Sequence, residues 1–487
     1  MQCSRQRLWF GNSGFSLNLI AASVLCLCLA MMCGCKVGPD FKRPQSQMPA
    51  GWLGAEATQG AANEQELISW WSKFDDPNLT SLIERAVKTN LDLRLAESRI
   101  LQSRASLGIA TSSLWPNANL SGSYTRSHSV SSTSAGRTTT NSNLYIAGLD
   151  SLWELDFFGG NRRGVEAAQA DVEAAVRDKQ SVMVTLASEV ALNYINLRGY
   201  QQQIAIVQQN LKAQMHSADL THQRFEGGFV SSLDVANANA QVASTSSQIP
   251  LLESSARQTI YNLSVLLGQE PAALLDELMP ASKIPVVRLD GPTVPAGVPS
   301  DLLRRRPDIR RAEAQIHAAT ARIGVAASDL FPKLSLSGSA SLQGSNASSL
   351  TKWKNLNWSL GPSASWQLFS GRQVQSNIEL QKALKDESFI TYQQTVLTAL
   401  QEVENALVAS TKEQEHRTAL IEAVTNNRKA VELSTKLYTE GQTDFLNVLT
   451  AQGALYSSED ALVQSNRTVS TNLVALYKAL GGGWQSD

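Results

Sequence analysis

Residues 92–123 (DLRLAESRILQSRASLGIATSSLWPNANLSGS) align without a gap to residues 308–339 (DIRRAEAQIHAATARIGVAASDLFPKLSLSGS), with fifteen of 32 positions identical. A match of that length at a fixed offset marks an internal duplication, so whatever this chain folds into must be built twice. The correspondence continues downstream. Trp153-Glu-Leu answers to Trp366-Gln-Leu, and Glu189-Val to Glu402-Val. Phe225-Glu-Gly-Gly228 answers to Tyr438-Thr-Glu-Gly441, and Leu233-Asp-Val to Leu446-Asn-Val, until Leu267-Gly268 and Leu480-Gly481 close the two copies. The expected organisation is a segment at 35–75, a first repeat at 76–268, a Pro- and Gly-rich connector at 269–306, a second repeat at 307–481 and a tail at 482–487.

Each repeat reads as a helix, two strands, a very long helix and a shorter one. Residues 90–114 carry helical periodicity and stop at Pro116, and the equivalent helix starts at Pro307, a residue suited to the first helical position. Strands are expected over about 117–130, 142–157, 333–345 and 355–369. In residues 356–368 (LNWSLGPSASWQL) the even positions are Leu, Trp, Pro or Ala and the odd ones Asn, Ser, Gly or Gln; residues 334–342 alternate likewise. Period-2 patterning puts one face in an apolar medium and the other in water. Residues 144–157 alternate less cleanly, with Ile146 and Leu152 opposite Tyr145, Leu149, Trp153 and Phe157. The Ser-, Thr- and Asn-rich stretches at about 129–142 and 343–355 read as exposed outer turns.

Residues 161–226 and 372–439 then run without a proline. As helices they are rods of about 100 Å, whereas a globule of this length has a radius of gyration near 22 Å by the usual scaling. Such rods do not fit inside an ordinary globule. Leu197, Tyr200, Ile204, Val207 and Leu211 fall at 3-4-3-4 spacing, the signature of a coiled-coil seam.

Strands of nine or more residues are long enough to cross an outer membrane. Four of them cannot close a barrel, and an open sheet in lipid leaves edge amides and carbonyls unpaired at several kcal/mol each. Single-chain bacterial barrels use eight or more strands, so several chains are expected to share one. Two chains give eight strands and three give twelve.

The N-terminus reads as an address. Arg5 and Arg7 precede an apolar run at 15–32, followed by Gly34 and Cys35. A basic region, an apolar region and a small residue before the cut describe a secretory signal, with a retained membrane helix as the alternative. Met32-Cys33-Gly34-Cys35 resembles a lipobox, which makes 1–34 a removed signal peptide and Cys35 the lipid-bearing first residue of the mature chain. In that pattern Lys36 after the cysteine favours the outer membrane. All five cysteines lie at or before position 35, which excludes a disulfide scaffold or a cysteine-ligated metal beyond it. A net charge of −1 from 42 basic and 43 acidic residues lacks the footprint of a nucleic-acid binder.

The opening Cys35-Lys-Val-Gly-Pro-Asp-Phe-Lys-Arg-Pro44, the Trp70-Trp71 followed by Phe74-Asp-Asp-Pro77, the Asp301-Leu-Leu-Arg-Arg-Arg-Pro307-Asp-Ile motif and the two Gly-(4)-Leu-Asp/Asn-Val turns resemble the NodT-type outer-membrane efflux lipoproteins, relatives of TolC. The resemblance covers residues 35–481. It implies an α+β membrane protein in which a homotrimer forms a transmembrane β-barrel, four strands per chain and twelve in all, continuing into a long α-helical coiled-coil periplasmic tunnel. It also implies a periplasmic adaptor, an inner-membrane resistance-nodulation-division transporter and outer-membrane lipid as partners. The chain is then a passive exit duct of a tripartite efflux system, not an enzyme, and needs no cofactor or metal. The competing reading is a periplasmic coiled-coil lipoprotein acting as a spacer or adaptor, which needs no one-faced strands.

Gly228 and Gly441 end the long helices, with helix restarts near Ser231 and Asp444, and their local reading is two left-handed helix stops with N-caps. The resemblance makes these tips (Gly227, Gly228, Ser231, Gly441, Thr443 and Asp444) the adaptor-docking mouth. It makes Asp234, Tyr438, Asp444, Phe445, Asn447 and Thr450 candidates for a periplasmic gate, against simple packing or capping. Arg304-Arg305-Arg306 before Pro307-Asp308 reads as a helix start and not as a nucleic-acid patch. His216 and His222, six apart, do not share a helix face.

Overall fold

The computed structural model describes residues 36–45, 48–53, 67–134, 136–285 and 297–484. The signal segment 1–34 and Cys35 lie outside the described residues. Among the described residues, eight helices of more than ten residues and four strands follow in the order α1 (Pro77–Thr89), α2 (Leu91–Ser112), β1 (Asn117–Thr133), β2 (Gly136–Leu155), α3 (Gly160–Glu226), α4 (Ser232–Ser246), α5 (Gln248–Leu266), α6 (Pro307–Ser328), β3 (Lys333–Gly344), β4 (Leu356–Ser365), α7 (Gln373–Thr439) and α8 (Phe445–Ala479). The two rods are real: α3 and α7 are 67 residues each. Where α8 runs unbroken for 35 residues, its counterpart is split into α4 and α5 at Ser247. Pro250 explains the split, since it has no N–H to give to Ser246 and its ring crowds that carbonyl.

Compactness divides the chain otherwise than the repeat does. One unit gathers Gln102–Glu173, Ala314–Phe389 and the residues up to Arg43; the other gathers Pro44–Leu101, Ala174–Glu313 and Ile390–Asp487, so each unit takes half of both repeats.

The first unit holds a four-stranded antiparallel sheet in the order β1-β2-β3-β4. Register resolves the noisy second strand. Leu149 pairs with Leu120 and with Ala340, and Ala340 with Trp358, so apolar side chains meet rung by rung across the sheet. Tyr145 pairs with Tyr124, their rings 4.6 Å apart. The other face is polar, with Ser335 bonded to Ser363 at 2.8 Å, Ser339 to Ser359 at 2.9 Å and Asn119 donating to Asp150 at 3.2 Å. Ile146 and Leu152 are apolar residues on that polar face.

Two strand limits are corrected. The expected outer turn at 129–142 is itself strand, paired through His128↔Asn141 and Val130↔Thr139 to Thr133↔Gly136. Hydroxyl- and amide-rich residues mimic loop composition, yet cross-strand polar bonds such as Ser127 to Ser142 at 2.7 Å support a hairpin wet on both faces. β4 ends at Ser365 and not near 369, because its last partner, Lys333, directly follows Pro332, which has no N–H for a ladder. The expected turn at 343–355 is a loop, built from two short 3-10 turns at Ala347–Thr351 and Trp353–Asn355.

The second unit holds the larger buried core. Trp70, fully buried, stacks on Tyr477 at 5.4 Å and meets Phe74 edge-on at 6.1 Å. Asp76 caps α1 by accepting from Asn78 and Leu79 backbone N–H groups at 2.9 and 3.1 Å, and its second oxygen accepts the Tyr194 hydroxyl at 2.8 Å. Arg306 of the triple-arginine motif is buried, donating to Asp308, to Glu402 at 2.6 Å and to the Ala479 carbonyl at 2.9 Å. Its role is thus to tie a helix start to the end of α8. Replacing Trp70 by alanine removes the largest of these packed side chains and is expected to cost about 3–5 kcal/mol, read as earlier loss of helical circular dichroism on heating.

The seam of α3 is displaced from the one its apolar spacing suggests. Leu197 and Val207 are buried, but Tyr200, Ile204 and Leu211 are only half-buried. The buried 4-3-4-3-4 series is Gln203, Val207, Asn210, Gln214, Ser217 and Thr221. It faces α8 through polar bonds: Gln203 to Asp460 at 2.7 Å, Asn210 to Glu459 at 3.2 Å and Gln452 to Ser217 at 2.8 Å.

Candidate functional site

The long helices end at two tight turns within the second unit. At the first, Gly228 takes φ 77° and Phe229 N–H returns to the Arg224 carbonyl at 2.9 Å; at the second, Gly441 takes φ 70° and Gln442 N–H returns to the Leu437 carbonyl at 2.8 Å. These are left-handed helix stops, where a residue with a β-carbon is strained. Each helix restart has a cap residue. Ser231 and Asp234 form a reciprocal capping box around α4, with Ser231 N–H donating to Asp234 at 3.0 Å. Asp444 stands at the N-cap of α8 but makes no capping bond with its side chain; Asn447 instead donates to the Thr443 hydroxyl at 2.7 Å, and Thr450 donates to the Leu446 carbonyl at 2.8 Å.

The two turns are tied together. Ala238, Tyr438, Phe445 and Val448 form a small buried cluster, flanked by Ala218, Leu220, Val230 and Leu449. Tyr438 and Phe445 lie 5.5 Å apart by ring centroid. Arg224, from the last turn of α3, donates to the Tyr438 carbonyl at 2.5 Å and lays its guanidinium 4.7 Å from the Tyr438 ring centre. The Tyr438 hydroxyl meets the Thr221 hydroxyl at 3.3 Å. The Tyr438 carbonyl, which also accepts the Gly441 N–H at 3.0 Å, thus meets a cation at the end of α7, the arrangement that suits the negative end of a helix dipole.

The expected site residues therefore sort into two groups. Tyr438 and Phe445 are interior, 2% and 3% exposed, while Asp444, Asn447 and Thr450 are exposed and Asp234 is half-buried in its capping box. Gly228, Ser231, Asp234, Tyr438, Gly441, Thr443, Asp444 and Phe445 share one cavity of about 510 Å³ between the turns, and Arg224 lines it too. Gly227 precedes that cavity, packed against the Phe229 ring. Arg224 and Thr221 escaped sequence reasoning, although a basic residue in the last turn before a Gly-Gly stop is a legible capping signal. Apolar side chains crown the tips: Phe229 is 75% exposed, with Leu233 and Leu446 also exposed.

A second repeated feature lies at the sheet end. Trp153 donates its indole N–H to the Leu114 carbonyl at 3.0 Å, and Trp366 donates to the Leu330 carbonyl at 3.1 Å. The residues before β1 and β3 are thereby tied to the end of β2 and to the residue that follows β4. Exposed Trp115, Trp366, Leu368 and Phe369 accompany them, the residue types that gather at a membrane–water boundary. Among the described residues no helix is long and apolar enough to cross a membrane.

A sheet with one apolar face, joined to paired helices of this length, defines an outer-membrane channel of the TolC-like class. Residues 82–269 and 298–482 match the family model for the outer membrane efflux protein, and the chain belongs to that family. It is similar to nodulation protein T of Rhizobium leguminosarum bv. trifolii, 32% identical over 455 residues that cover 93% of this chain and 96% of the relative. It is 34% identical to the pyoverdine export outer membrane protein OpmQ of Pseudomonas aeruginosa, over 90% of this chain and 92% of that one. The solved outer-membrane channel OprN superimposes with a TM-score of 0.87 at 36% identity, covering 93% of this chain and all of OprN. The protein is an outer-membrane efflux channel.

Proposed function

We propose that three copies share one twelve-stranded barrel in the outer membrane, and that their helices continue it as a periplasmic tunnel docked to an adaptor and an inner-membrane transporter of the resistance-nodulation-division type. The observation that carries this reading is the open sheet: β1 and β4 are edges, and the face running through Leu120, Leu149, Ala340 and Trp358 is apolar. An open edge in hydrocarbon costs several kcal/mol per unpaired group, so the edge of one copy pairs with that of the next. From Leu334 to Leu342 the apolar face runs about 27 Å along the strand, which at a tilt of about 40° covers about 21 Å, most of the roughly 25 Å band of such barrels.

The duct is passive and the transporter supplies the energy. Acyl chains on Cys35 add a second hold on the membrane. The adaptor docks on the tips around Gly227, Gly228, Ser231, Gly441 and Thr443, where Phe229, Leu233 and Leu446 offer apolar contact. The gate lies at the same mouth, with exposed Asp444, Asn447 and Thr450 meeting the permeant, while Asp234, Tyr438 and Phe445 hold the turns in place. Oligomer mass in detergent, taken with single-channel conductance in planar bilayers, tests the reading. A trimer with discrete conductance steps is expected; a monomer that never conducts overturns it and favours a periplasmic spacer.

A further inference from the structure

The opening motif Lys36-Val-Gly-Pro-Asp-Phe41 is absorbed by neither the channel nor the tips, yet the fold treats it as a bound ligand. Its receptor is Arg163 in the first turn of α3, a guanidinium buried to 1% exposure. Arg163 donates from Nε to the Val37 carbonyl at 3.1 Å, and from Nη2 to Asp40 at 2.7 Å and to the Gly38 carbonyl at 3.4 Å. Its Nη1 donates to Glu166 at 2.9 Å. Glu166 in turn pairs with Lys36 at 3.4 Å and with His317 of α6 at 3.2 Å, and Phe41 stacks on the His317 ring at 4.5 Å. Val37 N–H donates to the Phe158 carbonyl at 3.1 Å. The hydrogen bond and charge of Arg163 hold the Asp40 carboxyl below its usual range.

Shape complements the polar contacts. Gly38 takes φ 88°, and a β-carbon on it would lie 2.5 Å from the Gly324 Cα; one on Gly324 would lie 2.8 Å from the Arg163 side chain and 2.9 Å from the Val37 carbonyl. Two backbones meet here with room for no side chain. The place is specific as well. Lys36 lies against Gly159, within the short link between the end of β2 and α3, beside the stacked rings of Phe158 and Phe331 at 4.6 Å.

We propose that Lys36–Phe41 is a latch that seats the lipid-bearing end of the chain at the rim of the sheet, with Arg163 as its positioning residue and Gly38–Gly324 as its fit. The inference rests on the reading that Cys35 carries the lipid. Lys36, the first residue of the latch, directly follows Cys35 in the sequence. The latch thereby fixes where the acyl chains leave the protein, at the level where the strands leave the membrane. Buried charge has a reason in this setting: a guanidinium with four acceptors specifies one seating, where an apolar contact would tolerate several.

The test uses the full precursor, processed in cells and purified in detergent. Gly38→Val blocks the seating by setting a side chain against the α6 backbone at Gly324, with every helix residue unchanged, and Arg163→Met removes the receptor. Hydrogen exchange at the Val37 amide is expected to quicken about tenfold or more in both, with exchange in α8 unchanged. Intact mass reads acylation of Cys35 separately and is expected to be the same in the wild type and both variants. Wild-type exchange rates at Val37 in both variants overturn the latch. A wild-type mass without acyl chains sinks the lipid reading instead, and with it the anchoring role, whatever the exchange rates show.

Discussion

Ala340→Arg is expected to abolish channel assembly, while Ser339→Arg, one residue away, leaves it nearly intact. Ala340 sits mid-strand between Leu149 and Trp358 on the apolar face; Ser339 sits between Asp150 and Ser359 on the polar one. An arginine facing lipid at the middle of a barrel strand costs about 2–4 kcal/mol. The shared barrel proposed above multiplies that by its number of copies, so with three chains the loss is on the order of 10 kcal/mol of assembly free energy. In the proposed barrel the same side chain at position 339 faces water, beside the carboxylate of its cross-strand partner Asp150 on the neighbouring strand, and loses no hydration. The measurement is the fraction of chains running as the oligomer in native electrophoresis of outer membranes. Equal loss in both variants would mean that the sheet is not a membrane face at all, and equal tolerance would mean that it never enters lipid.

That contrast rests on a pattern legible in the sequence, because a strand's period of two survives any tertiary context. The long helices were equally legible, since residues 161–226 run without a proline and with few glycines, far beyond the length of an ordinary strand. What was not legible followed from polarity. The buried seam of α3 is Gln203, Asn210, Gln214, Ser217 and Thr221, and apolar periodicity points instead to Tyr200, Ile204 and Leu211, which stay half-buried. The outer ends of β1 and β2, wet on both sides, carry the Ser and Thr that composition assigns to loops. At the tips the turns, caps and candidate residues stood out through Gly228 and Gly441, but which of them face inward did not. Tyr438 and Phe445 are separated by six residues and a turn, and only the closure of that turn brings their rings to 5.5 Å.

Closure of the tips explains why Arg224→Met is the sharper probe of the mouth than Phe445→Ala. Phe445 is 3% exposed, so truncating it costs about 3–5 kcal/mol of packing and disturbs both turns at once. Arg224 ties the end of α3 to the end of α7 through one carbonyl and one ring face. A hydrogen bond from a charged donor contributes about 1.5–3 kcal/mol, and a cation over an aromatic face about 0.5–2 kcal/mol. Losing both shifts the balance between tied and untied tips by roughly 2–4 kcal/mol, or about 30- to 1,000-fold. Amide exchange at Gly441 and Gln442 is therefore expected to quicken by at least about 30-fold in Arg224→Met, with no change in the sheet. If the tips gate the tunnel, conductance rises in the same variant. Asp444→Asn separates the two roles: that carboxylate is exposed and makes no capping bond, so its loss leaves exchange alone and, if the tips gate the tunnel, alters only what the mouth admits. Faster exchange with unchanged conductance in Arg224→Met would move the constriction away from the tips. Unchanged exchange would mean that the buried cluster of Ala238, Tyr438, Phe445 and Val448 holds the turns without the arginine.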